Sequence, residues 1–450
     1  MGYLQCRGNH FEADGRTVML RGWAFGSWMN FEHFMIGLPG THSQIVGAFR
    51  RVYGMEKTEA FLDRMLEAMV SEADIAYLKQ LGVNSIRIPF GYPYLMDDLH
   101  PYVLRQEGMQ RLDRVVQLCV KHHMYVILDL HSTPGSQNTD WHSDNETGQA
   151  LFWKYGAFQD QVLWLWEQIA SRYASEEWVA GYDVINEPGY DVSAEAINGF
   201  YSRAIERIRR VDPHHILFLE GTDFGRDFSA LERQEDTNIA YTVHFYPFVL
   251  EADILDPAMD DADRKAVFTR IFDRQLAQVY RLERPIWCGE SGYEIRDGQE
   301  ELYARLLLHN IDLCEARGIS WNLWTYKDAR CMGIVIPAEQ TAWMQMVRRL
   351  SKKWSHHGEE AISMNVTKEI GARYFMPLTD KLAYDLDFQV RAVIHEIAVE
   401  QLLIPMLQSI PWDEMYGYPD AFLFANCDRR ETVVAKIQHY ILDKEETDIC

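Results

Sequence analysis

The sequence predicts an α/β protein, a (β/α)8 TIM barrel with a mostly helical C-terminal extension, and three observations carry that prediction. Short β-rich runs alternate with longer amphipathic segments, the pattern of parallel strands joined by crossover helices. Eight such runs fall before residue 330, the number that closes a barrel. Polar and aromatic groups gather where the runs end, the edge at which such barrels carry their chemistry.

In chain order the strands are expected at VMLRGWAF (18–25), VNSIRIPF (83–90), MYVILDLH (124–131), VAGYDVINE (179–187), HILFLEG (215–221), IAYTVHFY (239–246), PIWCGES (285–291) and ISWNLWTY (319–326). Between them, EAFLDRMLEAMVSEADIAYLKQLG, GMQRLDRVVQLCVKHH and AEAINGFYSRAIERIRRVD place apolar residues at three-to-four spacing, so each is expected to be helical and the chain to repeat a strand-plus-helix unit. Residues 26–57 separate the first strand from the first helix. A connection that long is usually functional, and loops after strands emerge at the C-terminal mouth, so it should wall the site.

The barrel is expected over residues 1–350 and the extension, packed on it, over 351–450. KLAYDLDFQVRAVIHEIAVEQLLIPMLQSI (381–410) is amphipathic, with Pro405 expected to break or kink the helix. The extension reads as added scaffolding, with substrate restriction or dimerisation as the alternative. The acidic run DKEETD at 443–448 reads as a solvated end.

Composition excludes several function classes. A net charge of −23 argues against nucleic acid, whose binders need a basic surface. Hydrophobic content of 47% and charged content of 25% are those of a globular protein. No stretch approaches the ~20 apolar residues that cross a bilayer, and the start, MGYLQCRGNHFEADG, has no apolar signal core, so no membrane and a cytoplasmic location are expected. Seven scattered cysteines without a C-x-x-C spacing fit a reducing compartment and no structural zinc. The histidine pairs at 122–123, 214–215 and 356–357 lack ligand spacing, and no dinucleotide or phosphate loop appears, so neither metal nor cofactor is expected.

The strand ends hold the candidates. They read Arg87-Ile88-Pro89, Asp129-Leu130-His131, Asn186-Glu187-Pro188, His244-Phe245-Tyr246-Pro247, Gly289-Glu290-Ser291-Gly292 and Trp324-Thr325-Tyr326-Lys327. A residue before proline is pushed toward extended geometry, so Glu187 and Tyr246 are expected to project from their strands. Glu187 and Glu290, on strands four and seven, would face each other across the mouth. Each alone reads equally as a surface ion pair. Together they supply what glycoside hydrolysis requires: an acid with a raised pKa and a nucleophile held charged by a neighbour such as Arg87, roughly 5 Å apart. Trp141 and His142, after strand three, could touch a second sugar or simply form a surface loop.

These residues resemble glycoside hydrolase family 5. The shared elements are RGWAFGSW, Arg87 in IRIPF, His131 in DLHSTPGSQN, NEP at 186–188, HFYPF at 244–248, GES at 289–291 and WTYK at 324–327, in family order over roughly residues 18–330. LHSTPGSQN and WTYK look closest to the exo-acting β-glucanase branch. The resemblance implies Glu187 as acid/base and Glu290 as nucleophile of a retaining double displacement, and Asn186 on the sugar 2-hydroxyl. It further implies Arg87 and Tyr246 supporting Glu290, His244 beside Glu187, His131 lining the pocket and Trp324 as its stacking floor. Ser291 departs from the pattern, which often carries an aromatic there, and residues 32–57 and 351–450 lie outside it.

The expected function is a metal-free retaining β-glycosidase trimming neutral β-linked glucosides from one end. An endo-β-glucanase or endo-β-mannanase with an open cleft, and a non-catalytic carbohydrate-binding barrel, are the alternatives. Oligomeric state is left open.

Overall fold

The computed structural model describes residues 2–448 apart from 191, 375 and 376, and no side chain beyond 444. Its centre is a closed barrel of eight parallel strands: β1 Arg21–Ala24, β2 Ser85–Gly91, β3 Tyr125–Ser132, β4 Val179–Asp183, β5 Ile216–Glu220, β6 Ile239–His244, β7 Ile286–Glu290 and β8 Ser320–Leu323. Each pairs with its neighbour in chain order and β8 closes on β1. Every expected strand is present. All residues of these strands are buried, because a parallel sheet wrapped by helices has no wet face and tolerates near-continuous apolar runs.

A small antiparallel meander, Gln5–Arg7, His10–Ala13 and Arg16–Val18, precedes the barrel. Leu4 and Phe11 pack with Leu20, Ile127, Ile216, Phe218 and Trp287, closing the end opposite the mouth. Its turn was readable: Asp14 and Gly15 both have positive φ, 50° and 74°, the two-residue Asp-Gly hairpin geometry.

The crossover helices depart from expectation in three places. The segment at 26–57 is not a bare loop but holds a turn of helix at His33–Ile36 and helix α1, His42–Tyr53, whose Thr41 and Gln44 form a capping box. The run at 59–82 divides into α2, Met55–Met69, and α3, Glu72–Gln80. Ser71 starts α3 because its side chain and Asp74 cap each other, ending one helix and beginning the next. Units two, three and four carry α4 Gln106–Lys121, α5 Gly156–Tyr173 and α6 Ala194–Arg209. After β5 the expected repeat fails: only a kinked turn, Thr222–Gly225, precedes an irregular segment. The sequence there, GTDFGRDFSALERQEDTN, is rich in Gly and Asp and lacks a helical apolar stripe. The last units carry α7 Asp261–Tyr280, α8 Glu300–Glu315 and α9 Ala342–Leu350.

The extension is mostly helical. A hairpin of α10, His356–Tyr374, and α11, Asp380–Ala398, is followed by a π turn, Val399–Leu403, and one further helical turn, Ile404–Gln408. Pro405 sits in the first turn of that last piece, where its missing N–H costs little, and the π turn before it widens the backbone for its ring. Leu403, Leu407, Phe422 and Ile441, the last on α12 Glu431–Asp448, join the barrel's own core. Tyr53 on α1 donates to the Leu407 carbonyl at 2.7 Å.

The α10–α11 hairpin lies over the mouth. Thr139 Oγ1 donates to Tyr384 Oη at 3.2 Å, and the Tyr190 and Tyr384 rings pack at 5.3 Å. Gly148 has φ +66°, and a Cβ there would lie 2.6 Å from the Gln389 nitrogen. Gly148→Ala is therefore expected to cost about 1–3 kcal/mol through backbone strain and overpacking, seen as a lower melting temperature and faster proteolysis within 380–398.

Candidate active site

The site is built around Arg87, whose side chain is fully enclosed at the C-terminal end of the barrel. A buried guanidinium must be surrounded by acceptors. Its Nε and Nη2 donate to Asp183 Oδ2 at 3.1 and 2.9 Å, and Nη2 donates to Asn186 Oδ1 at 2.7 Å. Asp129 Oδ2 and Glu220 Oε1 lie 3.2 and 3.4 Å from Nη2. Nη1 pairs with Glu290 Oε1. Burial opposes the charge on Arg87, but Asp129, Glu290, Asp183 and Glu220 outweigh it and hold the guanidinium firmly protonated.

Glu290 ends β7 and is held on its other oxygen too, since the Tyr246 hydroxyl donates to Oε2 at 2.8 Å. Burial first, then the Glu290 and Glu187 charges, push the Tyr246 hydroxyl well above its ordinary value, so it remains a donor. His244 faces Glu290 in the register of β6 and β7, with Nδ1 2.6 Å from Glu187 Oε1 and 3.6 Å from Glu290 Oε2. An oxygen of Glu187, an oxygen of Glu290 and a ring nitrogen of His244 lie within 4.8 Å of one another.

Glu187 does not adopt the extended backbone expected before proline: its φ is +46°. Tertiary bonds over-determine the strained position. Its N–H donates to Glu220 Oε2 at 2.8 Å, its carbonyl accepts from Asn138 Nδ2 at 2.9 Å, and His142 Nε2 lies 2.9 Å from Oε2. Tyr246 is nearer the expectation, at φ −117° and ψ 76°.

The expected raised pKa of Glu187 is also corrected. Burial alone would raise it, but hydrogen bonds from His142 and His244 hold the carboxyl well below its usual range. Both histidines are pushed upward: burial works against them, and carboxylates win, Glu187 for His142 and Glu220 with Glu290 for His244. Burial raises Asp183 and Glu32. The site thus sets the acidic side chains of Asp129, Asp183, Glu187, Glu220 and Glu290 against Arg87, His131, His142 and His244, the paired arrangement that enclosed ionisable groups require.

His131 ends β3. Its Nδ1 lies 2.8 Å from Asp129 Oδ2 and its Nε2 3.5 Å from Glu32 Oε1, and its ring stacks on Trp324 at 5.2 Å and 8°. Burial would lower its pKa, but Asp129 and Glu32 raise it to about 10. A folded pKa above the unfolded value, ~6.5, gives stabilisation that is complete below that value and lost as pH climbs toward 10. Melting temperature should therefore fall between pH 6.5 and 10 more steeply in the native protein than in His131→Asn.

Trp324 follows β8, is 4% exposed, and has Arg87 6.0 Å from its ring centre; the peptide after it is cis. Asn186 keeps one buried donor, Nδ2, without a partner. Trp141 alone among the expected residues stands apart at the rim, edge-on to His33 at 4.2 Å and Phe34 at 5.1 Å. Its neighbour His142, expected at most to touch a second sugar, instead binds Glu187. Ser291 causes no disruption, because Asn310 Nδ2 donates to its Oγ at 2.6 Å.

Sequence reasoning missed Glu220, Asp183, Glu32 and the role of His142. A carboxylate ending the apolar run ILFLE was a usable signal for Glu220. Nothing local pointed to Glu32, which reaches His131 only through the path of the loop after β1.

Comparison with known proteins gives the family. The sequence pattern described as cellulase (glycosyl hydrolase family 5) matches residues 50–330. A β-xylosidase of Phanerodontia chrysosporium is 39% identical over 78% of this chain and 77% of its own length. A probable glucan 1,3-β-glucosidase A of Aspergillus niger is 25% identical over 55% of this chain and 60% of its own. Among solved structures, the endoglucanase Cel5A of Thermotoga maritima superposes with a TM-score of 0.51 at 17% identity, covering 70% of this chain and 91% of that one. The chain belongs to glycosyl hydrolase family 5 and is a glycoside hydrolase acting on β-glycosides.

Proposed function

We propose that the protein is a retaining, exo-acting β-glycosidase that removes terminal β-linked glucose from small neutral oligosaccharides or glycoconjugates. The observation that carries this is the approach of Glu187 and Glu290 oxygens within 4.8 Å. Retaining enzymes hold their carboxyls about 5–5.5 Å apart, whereas inverting ones leave about 6.5–9.5 Å for a water.

In the first step Glu290 attacks the anomeric carbon while Glu187 protonates the departing oxygen, and the glycosidic bond breaks. In the second, Glu187 takes a proton from water, which displaces Glu290 and restores the β configuration. His142 and His244 each reach an oxygen of Glu187, so either can pass it the proton that it delivers in the first step and take that proton back after the second. The unpartnered Nδ2 of Asn186 suits the sugar 2-hydroxyl, and the indole of Trp324 suits its apolar face. No described helix is long and apolar enough to cross a membrane. The described cysteines are free, which supports a reducing setting such as the cytoplasm.

Exo action is supported by the closure of the mouth. Glu187 and Glu290 are 9% and 4% exposed, and the α10–α11 hairpin contacts the loops after β1, β3 and β4. The β-xylosidase relative favours a second reading, in which the terminal sugar is xylose. Hydrolysis of aryl β-glucoside and β-xyloside should be compared by kcat/KM, with the anomer first released read by proton NMR. The proposal expects the glucoside to be preferred and the β anomer to appear first. A preference for the xyloside selects the second reading, and an α anomer removes the retaining mechanism. Viscosity loss in a β-glucan outpacing release of reducing ends would establish endo action instead.

A further inference from the structure

Three side chains from distant segments meet beside the catalytic mouth: His33 from the loop after β1, Glu359 from α10 and His395 from α11. One donor atom of each lies within 4.8 Å of the others. All three are buried, at 2%, 4% and 1% exposure. His33 Nδ1 and His395 Nε2 have no hydrogen-bond partner, although the latter lies against Glu359 Oε1. Unpaired imidazole nitrogens are costly to enclose and call for a partner.

The surroundings suit a cation. The second oxygen of Glu359 accepts from Trp354 Nε1 at 2.5 Å, the outer contact that orients a ligating carboxylate. The nearby cation Arg391 is already engaged, by Asp387 at 2.8 Å and Glu360 at 3.3 Å.

We propose that His33, Glu359 and His395 bind a divalent cation of the zinc class, which clips the α10–α11 hairpin onto the loop after β1. Two imidazoles and a carboxylate are a zinc donor set, and a fourth position remains for water. Bonds of 2.0–2.1 Å set tetrahedral donors about 3.3 Å apart, and side-chain torsions close the difference. The expectation of no metal rested on local histidine spacing, and residues 33, 359 and 395 have none. The other imidazole cluster, Glu294 with His356 and His357, is more exposed and already paired, since each ring nitrogen sits 3.0 Å from its own Glu294 oxygen.

The test uses the full chain stripped by chelator and titrated with zinc sulfate by calorimetry, with bound metal counted by mass spectrometry. One zinc per chain is expected, with a higher melting temperature on binding. Glu359→Gln and His395→Ala should weaken binding at least tenfold and abolish the melting shift, while His357→Ala leaves both unchanged. Circular dichroism checks that each variant folds. Should the first two fail to fold, zinc-edge X-ray absorption of the native protein still decides: two imidazole nitrogens and a carboxylate oxygen support the site. No stoichiometric zinc, loss of binding in His357→Ala, retained binding in a folded Glu359→Gln, or a shell without two imidazoles would each overturn it.

Discussion

Glu290→Gln is expected to lower kcat on an aryl β-glucoside by about four powers of ten, roughly 5.5 kcal/mol of barrier, while the protein stays folded. The amide keeps the shape of the carboxylate, and its one oxygen can still accept from Arg87 while its NH2 can donate to the Tyr246 oxygen. What it loses is the nucleophile, and with it the covalent intermediate that divides one difficult displacement into two easier ones. A merely supporting residue would behave differently in a second variant. Glu290→Ala with added azide should regain activity and release α-glucosyl azide, because the small anion attacks from the vacated face and inverts the anomeric centre once. Residual activity of Glu290→Gln within tenfold of native, in folded protein, would remove Glu290 from the role.

The second large effect is on stability. Arg87→Met should destabilise the fold by about 3–5 kcal/mol or prevent folding altogether, because it leaves Asp129, Asp183, Glu220 and Glu290 enclosed without their common counter-charge. Arg87→Lys should recover little. An ammonium is a compact point charge, whereas here Nε, Nη1 and Nη2 reach different partners from one planar fork. Denaturant midpoints of the variants against the native protein measure the loss. An Arg87→Lys variant as stable as the native protein would contradict the view that fork geometry, beyond charge, holds the carboxylates together.

The elements that sequence resolved share a cause. β3 from Tyr125 to Ser132 is legible because a fully enclosed parallel strand needs a continuous apolar run. Glu290 and His244 are legible because they close such runs, Arg87 because it interrupts one, and Glu187 because it follows one just past the end of β4, where apolar burial yields to chemistry. The missing helix after β5 and the break at Ser71 were also written locally, in Gly/Asp content and a capping pair, and were passed over in favour of the repeating pattern.

Pattern and strand-end chemistry, both short-range properties, were thus enough to determine the barrel, its polarity and the two facing carboxylates. Tertiary structure alone decided the left-handed backbone of Glu187, which depends on bonds to Glu220 and Asn138. It alone decided which histidines hold that acid, and that α10 and α11 fold back over the mouth to set His395 beside His33. Those outcomes depend on groups far apart in the chain, and their energies are earned only once the barrel has closed and excluded water, so no local spacing could announce them.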